Sequence, residues 1–372
     1  MQIAPAEFHL ARHARVREAL RAASLDALII TSLPNVAYLT GLFASAGAVV
    51  ISRDRVALIV DARYAITAKA RQGELDAIDV VMPPTSGSYD ETIAATAGVF
   101  GNGRVGFEDA QMTVRQHRDL VARIAAIDSR IEIVPASGMV EQCRVVKDAW
   151  ELGTLREAGG RLSDVAKCII PKALAGQQER QVAAVVDAEL RRAGFEKPAF
   201  DTIVAAGPNS AVPHYRAGER HLAHGDLVIL DFGGMFNGYA VDMTRTIAVG
   251  GADQRQRRVL EHVASAQAAA FAAIAIGCAA TDIDRVAREV LTREGLGDAF
   301  SHGTGHGLGL EVHERPRLAK YRPDLAAEPL KAGMVFTLEP GAYLEGWGGV
   351  RIEDDVAVTP GGAEWLTDVP RL

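Results

Sequence analysis

The chain has 372 residues, of which 48% are hydrophobic and 23% are charged, a composition typical of a globular enzyme rather than a disordered or fibrous chain. Its net charge of −7 is spread along the sequence, which argues against a nucleic-acid partner and against an anionic membrane. Three widely spaced cysteines without a CxxC pair exclude a disulfide framework and indicate reduced thiols.

Neither a targeting segment nor a membrane span is evident in the sequence. The N-terminus lacks the basic stretch followed by an apolar stretch that a signal peptide requires. The most apolar run, 266–280, is too short to cross a bilayer and is interrupted by Gly277. Together with the reduced cysteines, these observations predict a cytoplasmic protein without membrane association.

The first part of the chain alternates helical and strand patterns. Hydrophobic periodicity predicts a helix over 8–23 and strands over 27–31, 48–52, 55–60, 78–82, 105–108 and 131–134. This alternation indicates a mixed α/β unit, and it contains neither a GxGxxG nor a GxxxxGKS nucleotide fingerprint. Because domains usually hold about 100–200 residues, we place a domain boundary within 137–147 and predict domains of 1–137 and 138–372.

The rest of the chain has a different pattern. Helices are predicted over 141–170, 177–194, 253–275 and 282–294, with strands over 201–206, on both sides of Asn237-Gly238 and among later glycine-rich segments. The sequence contains no tandem repeat. These patterns predict an α+β domain with a largely antiparallel sheet and helices packed on one side of it.

The stretch 226–247 is predicted to be a β-hairpin, because Asn-Gly between two apolar, β-branched runs is the strongest short hairpin signal. With an even number of loop residues, Asp231 and Asp242 lie opposite or diagonally across one sheet face, within about 4.5–8 Å. Thr244 lies on the same face. Two carboxylates inside apolar strands repel each other unless they are protonated or neutralised by a cation. The pair therefore indicates either a metal site or a half-exposed hairpin with two aspartates facing solvent.

A second group of ligand types follows the hairpin. Seven of the ten histidines lie between 214 and 313, and the stretch 301–314, SHGTGHGLGLEVHE, holds three of them with four glycines. So many glycines predict a loop and strand that allow close backbone approach. Glu339 and Glu353 lie within apolar strand patterns, although an exposed strand position remains the alternative for Glu353. Four carboxylates and one imidazole make a plausible shell for two divalent ions about 3.5–4 Å apart, of Mn, Co or Zn.

These motifs resemble those of the methionine aminopeptidase-like metallopeptidases, whose catalytic fold is called pita-bread. The resemblance rests on LDFGGMFNGYAVDMTRT, HGTGHGLGLEVHE, TLEPG and VRIEDD, and it extends to PNSAVPHY, PNVAYLTG and DARY. The last two motifs lie in the first domain and are similar to those of the Xaa-Pro branch, which comprises prolidase and aminopeptidase P. The resemblance therefore implies an N-terminal creatinase-like α/β domain followed by a pita-bread catalytic domain.

The resemblance also implies a function. A dinuclear metal centre is expected to hydrolyse the Xaa-Pro bond of a proline-containing peptide, and the HERPR motif and the short chain favour a dipeptidase. Aminopeptidase P, which acts on longer peptides, is the alternative. A creatinase-like non-metal hydrolase and a non-catalytic binding module are less favoured, because such relatives lose several ligands and all five are present here. Dimers are common in the family, so a homodimer is expected.

The residues that match the family's motifs fall into three groups. The implied metal ligands are Asp231, Asp242, His306, Glu339 and Glu353, with Asp242 and Glu353 bridging two ions. The implied catalytic residues are His214, His302 and His313, which do not bind the metals, and Glu339, which would carry a proton to the proline nitrogen. The implied residues near the substrate are Tyr343, Arg351 and Arg317, of which Arg317 would meet the substrate carboxylate, with Arg322 as a competing candidate.

Overall fold

The computed structural model describes residues 1–75, 77–84, 87–320 and 328–371. The chain divides into two compact units, 2–144 and 145–372. The domain boundary at 137/138 stays a prediction. Within the described ranges, no helix combines the length and the apolar character that crossing a membrane would need.

The first unit is built on one mixed sheet. Its helices are α1 (Ala6–Ala22), α2 (Leu33–Thr40), α3 (Ala65–Glu74), α4 (Tyr89–Phe100), α5 (Val114–Ile127) and α6 (Met139–Val145). Its strands are β1 (Ala27–Ile30), β2 (Ala48–Ser52), β3 (Val56–Ile59), β4 (Asp79–Val81), β5 (Arg104–Phe107) and β6 (Glu132–Pro135), in the spatial order β4-β3-β2-β1-β5-β6. The predicted hairpin of β2 and β3 and the predicted α/β alternation are both confirmed.

The core of this unit follows from its strand sequences. All four residues of β1, ALII, are buried, as expected for a central strand covered on both faces. Ile93 of α4 and Ile124 of α5 pack against Ile29 and Val50 of the sheet. Both helices begin with a capping box, in which the N-cap side chain and the third helical side chain satisfy each other's backbone N–H.

The second unit contains the longer strands. Its helices are α7 (Ala149–Ile169), α8 (Glu179–Arg192), α9 (Gln254–Ala272) and α10 (Ala280–Arg293). Its strands are β7 (Lys197–Pro198), β8 (Ile203–Ala206), β9 (Leu227–Phe236), β10 (Tyr239–Ala248), β11 (Gly305–Gly307), β12 (Glu314–Leu318), β13 (Val335–Leu338), β14 (Gly341–Leu344), β15 (Gly348–Arg351), β16 (Asp354–Thr359) and β17 (Gly362–Trp365). One sheet has the order β10-β9-β7 with β8 also on β9, a second has the order β12-β11-β13-β16-β17, and β14 pairs with β15. Every pairing described in this unit is antiparallel, as predicted.

The predicted hairpin is the pair β9 and β10. Its two-residue turn, Asn237-Gly238, has positive φ angles of 48° and 79°, which is the type I′ turn that matches the twist of the flanking strands. Thr244 faces Asp231 directly, and Asp242 faces Gly233. The two aspartates are therefore diagonal neighbours on one face, so the structure selects the diagonal arrangement from the two that parity allowed.

The helix predicted over 141–170 is wrong in one respect, because the chain forms two helices there, α6 and α7. Asp148 accepts a hydrogen bond from the backbone N–H of Glu151, and the Glu151 side chain accepts one from the N–H of Asp148. The N–H of Lys147 donates to the carbonyl of Gly333 at 2.9 Å. These bonds satisfy the backbone without a continuous helix, and the helical periodicity of the side chains does not reveal them.

Candidate metal centre

The two larger sheets of the second unit bring the five predicted ligands to one cavity. Asp231 lies in β9, Asp242 in β10, His306 in β11, Glu339 just after β13, and Glu353 between β15 and β16. The N–H of Glu353 donates to the carbonyl of Thr244 at 3.1 Å, which joins the second sheet to β10 at this point. The five side chains line a cavity of about 440 Å³, called here the acidic cleft.

Three of the five side chains form the centre of the cleft. One ligand atom from each of Asp242, His306 and Glu353 lies within 4.8 Å of the other two. His306 Nε2 is 4.0 Å from Asp242 Oδ2 and 3.6 Å from Glu339 Oε1. These separations suit groups that share a cation between them, and Glu339 lies beside the same imidazole.

Asp231 has a different neighbour. Its Oδ2 accepts a hydrogen bond from the guanidinium of Arg351, which also donates to Thr244 Oγ1 at 3.1 Å. Its Oδ1 is buried and has no hydrogen-bond partner in the described part of the chain, and the same is true of Asp242 Oδ1. Buried carboxylate oxygens without partners are costly. Both aspartates line the cleft, and a divalent cation bound there would offer these oxygens a partner.

The charge balance of the cleft also favours a cation. Burial, followed by repulsion from neighbouring carboxylates, raises the pKa of Asp242 and of Glu353 well above its ordinary range. Burial raises the pKa of Glu339 to about 7, against the opposing effect of Arg351. Carboxylate oxygens with one imidazole are the ligand set that borderline and hard divalent ions prefer. The residues present therefore fit a divalent metal centre.

His306 is prepared to act as a neutral ligand. Burial lowers its pKa to about 4, so the imidazole is uncharged at neutral pH. Its Nδ1 lies 3.1 Å from the carbonyl oxygen of Gly307. A hydrogen bond there assigns the proton to Nδ1 and leaves Nε2 free toward Asp242 and Glu339, which is the usual arrangement of a metal-binding histidine.

The glycines of the histidine loop permit the close approach that the sequence predicts. A Cβ atom at Gly305 would collide with the carbonyl oxygen of Thr337, and one at Gly307 would collide with the carbonyl oxygen of Arg315. Thr337 in turn accepts the N–H of His306 at 3.2 Å. Only glycine on both sides of His306 lets β11 lie this close to its neighbours.

His302, Tyr343 and Arg351 form a chain of hydrogen bonds at one wall of the cleft. Arg351 Nη1 donates to the Tyr343 hydroxyl at 2.8 Å, and this hydroxyl lies 2.8 Å from His302 Nε2. His302 Nδ1 lies 2.8 Å from the carbonyl oxygen of Gly303 and 3.8 Å from Glu339 Oε2. Burial raises the pKa of Tyr343 to about 12, so its hydroxyl keeps its proton and can donate it to the imidazole.

The remaining predicted residues lie at the rim of the cleft. His214, His313 and Arg317 line it and are exposed. The His313 ring is 4.3 Å from the His306 ring, and Arg317 faces His306 in the β11–β12 register. Arg317 has no ion-pair partner within the described ranges. Arg322 lies outside the described residues.

Two supporting residues were not foreseen from the sequence. Asp355 Oδ2 accepts the backbone N–H of Asp242 at 3.0 Å, and burial raises the pKa of Asp355 well above its ordinary range. Thr337 Oγ1 lies 3.5 Å from Glu339 Oε1. Thr337 lies in β13 and Glu339 follows two residues later, so extended backbone would place them on one face, and this spacing could have revealed the contact. For Asp355, two successive acidic residues in an apolar strand were the available signal.

Two family models match most of the chain. The model of "Metallopeptidase family M24" matches residues 153–360, and that of the "Creatinase/Prolidase N-terminal domain" matches residues 12–146. An Xaa-Pro dipeptidase of Pyrococcus furiosus is 42% identical over 233 residues, which cover 63% of this chain and 66% of that protein.

Solved structures are similar along almost the whole chain. The structure of an Xaa-Pro dipeptidase from Bacillus anthracis has a TM-score of 0.91 and 34% identity, and the match covers 98% of this chain and 99% of that one. The structure of an X-Pro aminopeptidase from Thermotoga maritima has a TM-score of 0.84 and 32% identity, with 95% and 99% covered.

Proposed function

The chain belongs to metallopeptidase family M24, with a creatinase/prolidase N-terminal domain, and from this premise we propose that it hydrolyses the Xaa-Pro bond of dipeptides. The predicted fold, a creatinase-like α/β domain followed by a pita-bread catalytic domain, is confirmed. The observation that carries the proposal is the complete set of four carboxylates and one imidazole in the acidic cleft. A non-catalytic binding module or a creatinase-like enzyme without metal would not need this set.

The five predicted ligands are proposed to hold two divalent ions. They are Asp231, Asp242, His306, Glu339 and Glu353, and Mn, Co or Zn suits this ligand set. Their support is the pair of buried carboxylate oxygens without partners and the raised pKa values of Asp242, Glu339 and Glu353. When bound, the ions supply Lewis acidity and a nucleophilic water near neutral pH.

Glu339 is the proposed proton carrier. A group that takes a proton from water and returns it must lie within hydrogen-bond reach of the reacting atoms. The Xaa-Pro bond is a tertiary amide, so its nitrogen has no N–H and must gain a proton before proline can leave. Glu339 lies 3.6 Å from His306 in the centre of the cleft, where such a transfer is needed.

The walls of the cleft suit proline and a free carboxylate. Phe200, Ile203, Pro213 and Val312 provide apolar surface for a pyrrolidine ring. Arg317 is exposed to the cleft, and an arginine fork can grip a carboxylate through two parallel hydrogen bonds. A dipeptidase needs such a group, because its substrate ends directly after proline.

We expect Xaa-Pro to be cleaved better than Xaa-Pro-Xaa, and we expect Arg317→Ala to raise KM for the dipeptide by about 10–100-fold, the value of one lost charge-assisted contact. Steady-state kinetics on a dipeptide and a tripeptide with the same first two residues measures both effects. Arg315→Ala is the matched control, because Arg315 lies on the same strand but pairs with Glu328 at 3.1 Å.

Aminopeptidase P activity is the second candidate, and the likeness to the Thermotoga maritima X-Pro aminopeptidase favours it. Preferential cleavage of the tripeptide would move the assignment to this activity. In that case Arg317→Ala would leave KM for the longer peptide unchanged, and the proposed role of Arg317 would be wrong.

We expect His214→Ala and His313→Ala to lower turnover by about 100-fold or more, the range for a lost acid–base or oxyanion contact, while bound metal is retained. Both histidines lie at the rim, outside the cluster of Asp242, His306 and Glu353. Turnover and elemental analysis of the same samples test this. His262→Ala is the control, because His262 lies in α9, 3.5 Å from Glu294 just after α10, and does not line the acidic cleft. Loss of metal in either rim variant would identify that histidine as a ligand.

Three finer expectations belong to the same proposal. We propose manganese, cobalt or zinc as the metal, a homodimer as the assembly and the cytoplasm as the location. The three cysteines are free, in keeping with a reducing compartment. Elemental analysis of the protein as purified and light scattering in solution test the first two.

A further inference from the structure

The loop that carries His302 is hydrogen-bonded to an ion pair on α10, formed by Asp284 and Arg288. Asp284 and Arg288 lie four residues apart on this helix, with Asp284 Oδ1 2.9 Å from Arg288 Nη2 and Oδ2 3.1 Å from Nε. The Asp284 side chain is almost completely buried, and that of Arg288 is 15% exposed. Neither side chain lines the acidic cleft.

Arg288 holds the backbone of the loop at two points. Its Nη1 donates to the carbonyl oxygen of Phe300 at 2.8 Å, and its Nη2 donates to the carbonyl oxygen of His302 at 2.7 Å. Its guanidinium carbon lies 4.1 Å from the centre of the Phe300 ring. A planar fork can meet a carboxylate on one edge and two carbonyl groups on the other, which an ammonium group cannot do.

Asp284 holds the other end of the same loop. Its Oδ1 accepts both the backbone N–H of Thr304 at 3.0 Å and the Thr304 hydroxyl at 2.9 Å. The carbonyl oxygen of Thr304 then accepts the backbone N–H of Glu339 at 2.8 Å. The ion pair therefore acts on His302 directly through its carbonyl group and on Glu339 through one intervening residue.

Stability alone is a poor explanation for this arrangement. A buried ion pair contributes little or nothing to stability compared with apolar residues of the same size. Here the hydrogen bonds that the pair makes outside itself go to Phe300, His302 and Thr304, which form a short loop beside the cleft. Glycine-rich loops are otherwise free to move, whereas a catalytic group must be held to a fraction of an ångström.

We propose that Asp284 and Arg288 are positioning residues for this reaction, setting the backbone of His302 and Glu339 without touching the substrate or the metals. This positioning role presupposes the proposed function, hydrolysis of the Xaa-Pro bond. It assigns a functional role to two charged residues of α10 that no catalytic motif contains.

The first test is kinetic. In Arg288→Ala, kcat on an Xaa-Pro dipeptide falls by about 100-fold, the cost of misplacing a catalytic group by about 1 Å, while KM and metal content stay near wild type. Added methylguanidinium, at millimolar concentrations that do not denature, restores at least about a tenth of the lost activity by occupying the vacated site. Arg285→Ala is the control, because Arg285 lies on the exposed side of α10 and pairs with Asp282 and Glu289.

The second test is hydrogen exchange on the metal-free protein, which does not depend on activity. Arg288→Ala exchanges faster than wild type in segments 299–306 and 337–341 and equally elsewhere. Asp284→Asn, which keeps the shape of the side chain, gives the same pattern and serves if Arg288→Ala does not fold. The proposal is overturned if Arg288→Ala keeps the wild-type kcat. It is also overturned if this variant loses activity that methylguanidinium does not restore and exchanges faster throughout the unit. A wild-type protein that leaves Xaa-Pro uncleaved would refute the proposed function, while the exchange pattern would still test the positioning.

Discussion

Asp242→Ala is expected to lose both bound metal and peptidase activity. Asp242 is one of the three central side chains of the acidic cleft, with one oxygen within 4.8 Å of ligand atoms of both His306 and Glu353. Its backbone N–H donates to Asp355 Oδ2 at 3.0 Å, which holds β10 in place at this residue. Removing it leaves the remaining carboxylates without a shared cation.

Elemental analysis after metal loading measures the first effect, and hydrolysis of an Xaa-Pro dipeptide measures the second. Wild type should approach about two divalent ions per chain, and the variant should retain less than half of this with activity at background. Asp282→Ala is the control, because Asp282 is an exposed aspartate that pairs with Arg285 on α10. A fully active Asp242→Ala protein would show that the assignment of the metal centre is wrong.

Metal affinity is expected to rise steeply between pH 5 and pH 7. In the metal-free protein Glu339 has a pKa of about 7 instead of its ordinary 4.5. Between pH 4.5 and about pH 7, the folded state therefore binds a proton at Glu339 that the unfolded chain has lost. The contribution of Glu339 to the free energy of unfolding is complete below pH 4.5 and disappears as the pH rises to about 7. The difference between the pKa values of Glu339 in the folded and unfolded chain corresponds to about 3 kcal/mol in the free energy of unfolding.

A divalent ion must displace this proton, and each displaced proton makes the apparent affinity rise about tenfold per pH unit. Glu339 alone predicts about a 50-fold tighter binding at pH 7 than at pH 5, and the raised pKa values of Asp242 and Glu353 add to this. Protons do not compete with the ion for His306 in this pH range, because the pKa of its imidazole is lowered to about 4.

Calorimetric titration with Mn²⁺ at pH 5, 6 and 7 measures the slope, and the metal-induced rise in Tm should grow in the same direction. The buried His9 and His13, with pKa values lowered to about 3 and about 4, titrate in both forms, so a comparison of loaded with metal-free protein cancels them. Glu339→Gln should make the dependence of affinity on pH less steep, because one proton fewer is displaced when the ion binds. An affinity that does not change with pH would contradict the prediction.

The parts of the site that sequence could predict are those set by local geometry. Parity across the Asn237-Gly238 turn placed Asp231, Asp242 and Thr244 on one face, and the register confirms it. The glycines around His306 predicted close backbone approach, and the collisions expected for a Cβ at Gly305 and Gly307 confirm that as well.

Contacts between distant segments could not be predicted in this way. Periodicity fixes which face a residue occupies, but it does not state which segment lies opposite. The bond from Arg351 to Asp231 joins residues 120 positions apart, and the bond from the N–H of Lys147 to the carbonyl of Gly333 breaks a helix that the local pattern continues. The pair of Asp284 and Arg288 has the spacing of an ordinary surface pair on a helix, so only the loop packed against it reveals its burial.

The order of the predicted ligands along the chain has a consequence for protein engineering. Asp231 and Asp242 precede the exposed Gly250-Gly251 turn after β10, and the histidine and both glutamates follow it. A cut at this turn would yield two fragments, neither with a complete set of the predicted ligands, so the proposed metal centre would form only where both fragments are present.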